Sequence, residues 1–148
     1  MNQRKIDNMI PFALDELYQM PIGKKEIKAG EYDINKVYFG YMAAFGPSVV
    51  QSGIAKTLAF YSKDKGEGEG DRKLILELIK QVYIKAYPAY SSYSSTDLLK
   101  LYDDKAKQPN FSTLQKLDLA DKILEAAIAC KLVMNTYHAK EKTVSAEE

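Results

Sequence analysis

The sequence predicts an all-α fold, a single-domain bundle of five to seven helices, and three observations support this. Apolar residues recur at the three- and four-residue spacing of a helix face through most of the chain. Prolines and glycines divide the chain into segments of helix length, and no segment alternates as a strand does. The 148 residues, 46% apolar and 28% charged, are typical of one globular domain. We expect a helical domain over residues 1–138 and a charged, disordered tail over 139–148.

The first 45 residues of the chain predict two helices. An apolar stripe from Ile6 to Leu17 indicates the first, with a kink at Pro11, and a polar loop follows over 21–32. Asp33 is placed to cap the second helix.

Residues 46–65, GPSVVQSGIAKTLAFYSKDK, predict a helix–break–helix unit. Pro47 can kink or restart a helix, and Gly53 can end one segment or let a neighbouring backbone approach. Helical spacing gives this unit one predicted core face, which consists of Val50, Ile54, Thr57, Leu58 and Tyr61.

A flexible turn is predicted at 65–71, before a fourth helix over about 71–87. Pro88 ends that helix, because the residue before a proline is pushed out of helical geometry. Residues 88–95 are then predicted to form a loop.

Two further helices are predicted from their capping residues. Ser95 or Thr96 can cap a short helix. Ser112 and Gln115 match a capping box, in which each residue bonds the other's backbone. The helix that they start is predicted to run over about 112–140.

The charge balance argues against a strongly basic nucleic-acid-binding domain. Net charge is only +1, so any such binding needs a local patch. All basic residues except Arg4 and Arg72 are lysines, which suit phosphate as point charges, whereas arginine suits bidentate reading of bases. The single cysteine, Cys130, excludes an internal disulfide and favours a reducing, cytoplasmic compartment. We expect no signal peptide and no membrane-spanning segment.

The titratable residues do not predict catalytic chemistry. His138 is the one histidine, and a metal site built from two Glu-x-x-His motifs is excluded because it needs two. His138 is expected on the solvent side of a helix end. Asp118, Asp121 and Glu125 share a side of the last helix, where a solvated face is favoured over a metal site. Cys130 is predicted to be a buried hydrophobe rather than a nucleophile. No catalytic residue, metal ligand or cofactor is predicted.

Two lysine pairs could follow a phosphate backbone. Lys56 and Lys63 lie seven residues apart on one helix, and Lys73 and Lys80 lie seven apart on the next, in line with Tyr87. The functional interpretation is a basic groove with an aromatic ring available for stacking. The alternative is an ordinary solvated helix face with unremarkable lysines.

Exposed aromatic residues are candidates for a protein interface. The loop YPAYSSYSST holds three tyrosines that could stack on bases, but clamping of the loop to the bundle or contact with a partner protein is favoured. Lys131 falls within an apolar stripe, so its ammonium extends past apolar surface or its side of the helix borders a groove. The candidate interface residues are Phe45, Phe60, Tyr87, Tyr90 and Tyr93.

The stretch YFGYMAAFGPSVVQSGIAKTLAFYSKDK resembles the hallmark of the small subunit of the type III-B CRISPR effector, the Cmr complex. The shared features are a proline-containing apolar segment, a polar–glycine pair, and a TLAF-like run closed by Ser-Lys. Near the other end, ILEAAIACKLVMNTYHAK looks like the closing helix of that family. The resemblance extends from about Val37 to Lys140, and the matching positions of its hallmark are Pro47, Val49, Val50, Ser52, Gly53, Ile54, Thr57, Leu58, Ala59, Phe60, Ser62 and Lys63.

The resemblance implies a non-catalytic helical subunit that stacks into an inner filament. Its implied partners are the other Cmr subunits, further copies of itself, and crRNA or target RNA through backbone contacts, with no membrane. One alternative is a helical adaptor that binds only protein, through the tyrosine loop and the faces around Phe45 and Phe60. Another is a metal-dependent nuclease that uses Asp118, Asp121 and Glu125.

Overall fold

The structure, a computed structural model, describes residues 2–19, 33–63 and 71–140. The predicted loop at 21–32, most of the turn at 65–71 and the tail beyond Lys140 lie outside these ranges. The described residues form α1 (Gln3–Gln19), β1 (Asp33–Asn35), α2 (Lys36–Ser52), α3 (Ile54–Tyr61), α4 (Arg72–Ala86), a 3-10 helix (Pro88–Tyr93), α5 (Leu98–Ala106), α6 (Thr113–Met134) and β2 (His138–Lys140). The predicted all-α bundle of five to seven helices is confirmed.

Helices α1, α4 and α6 pack on one another at the centre of the bundle, and α2 crosses α6. Apolar side chains from all six α-helices form one continuous core. The predicted α1 stripe is buried at Ile6, Met9, Ala13 and Leu17, but Leu14 within it is 46% exposed, and α1 continues through Pro11. The central α4 contributes the largest share of fully buried side chains, which include Ile75, Leu78, Ile79, Val82 and Tyr83.

Two short strands form a parallel pair that the sequence did not predict. Asp33 pairs with His138 and Asn35 with Lys140, around a fully buried Ile34. Three residues are too few to show strand alternation in a sequence. Asp33 therefore lies in a strand rather than at a helix cap, and that prediction is wrong.

Helix α6 ends earlier than predicted, at Met134. The Thr136 hydroxyl donates to the Val133 carbonyl at 2.7 Å, and the chain turns towards β2. His138 consequently belongs to a strand and not to a helix end, and β2 includes the first two residues of the predicted tail.

The break between α2 and α3 lies at Gly53, as predicted, but α2 runs without interruption through Pro47. Gly53 has φ of 91° and ψ of 160°, a conformation that side chains with a Cβ rarely adopt. The predicted core face is confirmed for α3 but wrong for Val50, which is 80% exposed, while Val49 is buried. Because the break changes the rotation of the chain about the helix axis, a single helical wheel cannot predict the buried face of both helices.

The predicted helix boundaries are confirmed at α4 and at the start of α6. The Asp71 side chain caps α4, and the Ser112–Gln115 capping box forms with both of its bonds. Residues 88–93 form a 3-10 helix rather than a loop. The α5 cap is Asp97, which accepts from the Lys100 amide at 2.8 Å, so the prediction of Ser95 or Thr96 is wrong.

Candidate nucleic-acid interface

A line of polar, cationic and aromatic side chains runs along the solvent side of α2 and α3. We call Ser48, Ser52, Lys56, Phe60 and Lys63 the α3 outer face. Ser48, Ser52, Lys56 and Phe60 line one surface across the Gly53 break, and the Lys63 side chain, just past the end of α3, approaches the Phe60 ring. Lys56 and Lys63 are both exposed, whereas Leu58 and Tyr61 on the other side are buried. The two lysines that the sequence selected are therefore both accessible, Lys56 on α3 and Lys63 two residues beyond its end.

Phe60 and Arg72 give this face a feature that the sequence did not predict. The Arg72 guanidinium lies 4.8 Å from the centre of the Phe60 ring and 4.7 Å from that of Tyr41. The Lys63 ammonium lies 5.4 Å from the Phe60 ring. These distances are typical of cation–π contacts. Tyr41, Phe60 and Arg72 are far apart in the sequence, so only the packing of α2, α3 and α4 reveals the cluster.

Buried polar contacts fix the helices beneath the α3 outer face. The Tyr61 hydroxyl donates to the Tyr41 carbonyl, and the Tyr38 hydroxyl accepts from the Asp71 amide at 3.1 Å. Burial raises the pKa of Tyr61, although the nearby Arg72 charge opposes the shift, so this hydroxyl stays protonated and keeps donating. Since α2, α3 and the start of α4 are tied together, Arg72 stays beside Phe60.

A shallow groove opens on the same face. It has a volume of about 250 Å³ and is lined by Ser48, Ser52, Lys56, Thr57 and Phe60. The Thr57 hydroxyl donates to the Gly53 carbonyl at 2.9 Å, so its oxygen can only accept from a ligand. The groove thus combines an aromatic wall, a cation and hydroxyl groups.

The second predicted lysine pair does not stay together on the surface. Lys73 is exposed, but Lys80 is 1% exposed. The Lys80 ammonium donates to the Ser94 carbonyl at 2.7 Å and lies 3.0 Å from the Glu77 carboxylate. The prediction that Lys80 lies on an exposed ridge is wrong, because the segment after α4 folds back over that side of the helix.

The tyrosine loop is clamped to the bundle. The Tyr90 ring lies 5.1 Å from that of Tyr83 and 6.5 Å from that of Tyr93, and the Tyr87 ring also lies 5.1 Å from that of Tyr83. All three predicted loop tyrosines are half-buried. Phe45 is fully buried against Tyr61, so its prediction as an interface residue is wrong. Phe60 is 46% exposed and remains accessible.

The acidic residues of α6 do not share a solvated face. Glu125 is buried and accepts from the Asn2 amide at 3.0 Å, while the exposed Asp118 pairs with Lys122 at 2.8 Å. Across the described ranges, no group of three or more His, Cys, Asp or Glu residues is arranged to hold a metal ion. The nuclease alternative therefore loses its proposed ligand set.

Cys130 is a buried hydrophobe, as predicted. Burial raises the pKa of its thiol well above the ordinary value, because a thiolate would be desolvated there. The thiol is therefore neutral at physiological pH.

A second groove lies between α2 and α6, with a volume of about 220 Å³. The exposed Lys131 stands at its edge, which agrees with the groove interpretation of that residue. The remaining lining residues are mostly apolar: Met42, Ala43, Gly46, Pro47, Val50, Leu124, Ala127 and Ile128.

Comparison with known protein families decides the affiliation of the chain. A family model described as CRISPR-associated protein (Cas_Cmr5) matches residues 24–134 of the 148. The chain belongs to this family. This family is that of the small subunit of the type III-B Cmr effector, and the match includes all of α2 to α6. Searches of curated proteins and of solved structures gave no significant match.

The α3 outer face and both grooves therefore lie within the part of the chain that defines the Cmr small subunit. Among the helices in the described ranges, none has the length and apolar content needed to cross a bilayer.

Proposed function

We propose that this Cmr small subunit is non-catalytic and stacks into an inner filament beside the crRNA-bearing subunits in the cytoplasm. There it helps to hold crRNA and target RNA during antiviral defence. The observation that carries the RNA-holding role is the α3 outer face, where Lys56 on α3 and Lys63 just past its end are both exposed. Family membership supplies the context of a complex with other Cmr subunits.

The contact that we propose is with the RNA backbone. A lysine ammonium is a compact point charge that attracts phosphate without selecting a base. In an RNA-guided complex, base pairing supplies sequence selection and the protein needs only to hold the backbone. With a net charge of +1, the chain attracts RNA through this local face rather than through its overall charge.

Lys73 extends the same surface. It lies next to Arg72 in the first turn of α4, and its side chain is exposed. Because Arg72 reaches Phe60, the start of α4 adjoins the α3 outer face. We therefore include Lys73 with Lys56 and Lys63 as backbone contacts and leave out Lys80, whose ammonium is already bonded within the protein.

The test is RNA retention by the assembled complex carrying Lys56→Glu and Lys63→Glu together. We expect the double variant to enter the complex normally and to retain less RNA than wild type. Lys107→Glu is the matched control, since Lys107 is an exposed lysine on the far end of α5, paired with Asp103 at 2.9 Å. Equal retention by all three complexes would contradict the proposal.

A helical adaptor that binds only protein is a second candidate function. The α2–α6 groove favours it, because Val50 on its rim is an apolar side chain left 80% exposed. Purification of the tagged chain separates the two functions. Recovery with nuclease-sensitive RNA and Cmr subunits supports the first, whereas recovery of protein partners with no crRNA supports the second.

A further inference from the structure

We propose that Phe60 is a stacking platform for one unpaired base of single-stranded RNA, and that the neighbouring groove receives that base. Lys56 and Lys63 then hold the phosphates on either side of the stacked nucleotide. This inference rests on the proposed function and deepens it, because it adds a contact with a base to contacts with the backbone.

The first argument is the exposure of the ring. Phe60 keeps 46% of its surface accessible on a helix whose other large apolar and aromatic side chains, Ile54, Leu58 and Tyr61, are buried. Aromatic side chains are the usual partners of splayed RNA bases, since every base has a π-face. An exposed phenylalanine with Lys56 one turn before it and Lys63 just past the helix end provides both a stacking surface and phosphate contacts.

The second argument is the position of Arg72. Its guanidinium is held between the rings of Tyr41 and Phe60, at 4.7 and 4.8 Å from their centres. This arrangement braces the Phe60 ring and keeps a permanent positive charge beside it. The platform is therefore ordered before RNA arrives, which lowers the entropic cost of binding.

The third argument is the size and lining of the groove. Its volume of about 250 Å³ is just below the roughly 300–1,000 Å³ of sites for drug-sized ligands, and this suits a single nucleotide. Ser48 and Ser52 supply hydroxyls that can donate to or accept from a base edge or a ribose. The ring of Phe60 forms an apolar wall of the same groove.

The positive charge around the groove favours RNA over a protein segment as its ligand. The groove is lined by one lysine and no carboxylate, and Lys63 and Arg72 lie within 5.4 Å of the Phe60 ring centre. The cations Lys63 and Arg72 beside the ring, and Lys56 in the groove that the ring lines, complement an anionic ligand that also has a flat face. A nucleotide has both properties.

The experiment is photocrosslinking in the assembled Cmr complex, with target RNA that contains thiouridine. Crosslinked peptides are mapped by mass spectrometry for wild type, Phe60→Leu, Phe60→Tyr and Lys107→Glu. Phe60→Leu keeps an apolar side chain but removes the ring, whereas Phe60→Tyr keeps the ring. We expect a base crosslink at Phe60, retained by Phe60→Tyr and by the control, and about tenfold weaker in Phe60→Leu.

The outcomes separate this inference from the proposed function. Crosslinks elsewhere on the α3 outer face with none at Phe60 would overturn the stacking role and leave the backbone contacts standing. No crosslink to this chain, with normal assembly, would overturn both. A protein–protein crosslink at Phe60 in place of RNA would assign the ring to a subunit interface and contradict the stacking role.

Discussion

Helices α3 and α4 carry the same lysine pattern and use it differently. Each has two lysines seven residues apart in the sequence, which predicts an exposed ridge in both cases. Lys56 on α3 and Lys63 two residues past its end are both exposed, whereas on α4 Lys73 is exposed and Lys80 is buried. The comparison shows that helical spacing determines which residues share a face but not what covers that face.

The segment that follows α4 in the sequence buries the side of α4 that carries Lys80. The 3-10 helix packs back on α4, and the Ser94 carbonyl just beyond it accepts from Lys80. On α3 the packed side faces α2, α4 and α5, and the lysines lie on the other side. Because the chain reverses at Pro88, Lys80 is buried and holds the following segment instead of lying on the surface.

The largest expected effect contrasts the two sides of α3. Leu58→Ala should lower the free energy of unfolding by about 3 kcal/mol, because Leu58 is fully buried and truncation leaves a cavity. Phe60→Ala should cost about 1 kcal/mol, since half of that ring is already in water. Urea denaturation measures both, and equal losses would contradict the assignment of inner and outer faces.

The next largest difference in stability is expected between alanine variants of the buried Lys80 and the exposed Lys56. Lys80→Ala should lower the free energy of unfolding by about 2 kcal/mol, because it removes a packed stem and the stronger donor to the Ser94 carbonyl. Gln81 also donates to that carbonyl at 3.3 Å, which limits the loss.

Lys56→Ala is the matched variant and should stay within about 0.5 kcal/mol of wild type. Thermal denaturation at one protein concentration compares the pair. A Lys80→Ala variant as stable as Lys56→Ala would show that Lys80 is not buried as described.

A smaller effect tests the break that separates α2 from α3. Gly53→Ala should cost about 1–2 kcal/mol, because an alanine is strained at φ of 91° even though its Cβ would meet no neighbour within 4 Å. Gly46→Ala lies inside α2 with the same open space and should be neutral or stabilise by about 0.5–1 kcal/mol. Equal changes for the two variants in urea denaturation would argue against a break at Gly53.

Local signals made most of the fold predictable. The helical stripes, the Ser112–Gln115 capping box and the break at Gly53 each depend on residues close in sequence, and the structure confirms them. The parallel strand pair joins residues more than a hundred positions apart, and its strands are too short to show periodicity. The sequence did not predict this strand pair because three-residue strands carry too little pattern.

The candidate site was predictable only in part, and for a related reason. Lys56 and Lys63 follow from their seven-residue spacing in the sequence, but Arg72 enters the site by packing against rings from two other helices. The sequence wrongly predicted Glu125 to be solvated, because a helical wheel of α6 takes no account of α1. The N-terminal end of α1 lies against Glu125. Burial of a charged residue depends on such neighbours, and a single helix does not show them.

The most direct test of the central claim is a salt titration of RNA retention by the assembled complex. For wild type, the logarithm of the binding constant should fall linearly with the logarithm of salt concentration. With Lys56→Glu and Lys63→Glu, we expect weaker binding and a slope shallower by about 1.4, since two phosphate contacts are lost. Lys107→Glu should keep the wild-type line. A double variant whose line coincides with wild type across the titration would contradict the assignment of the α3 outer face to RNA.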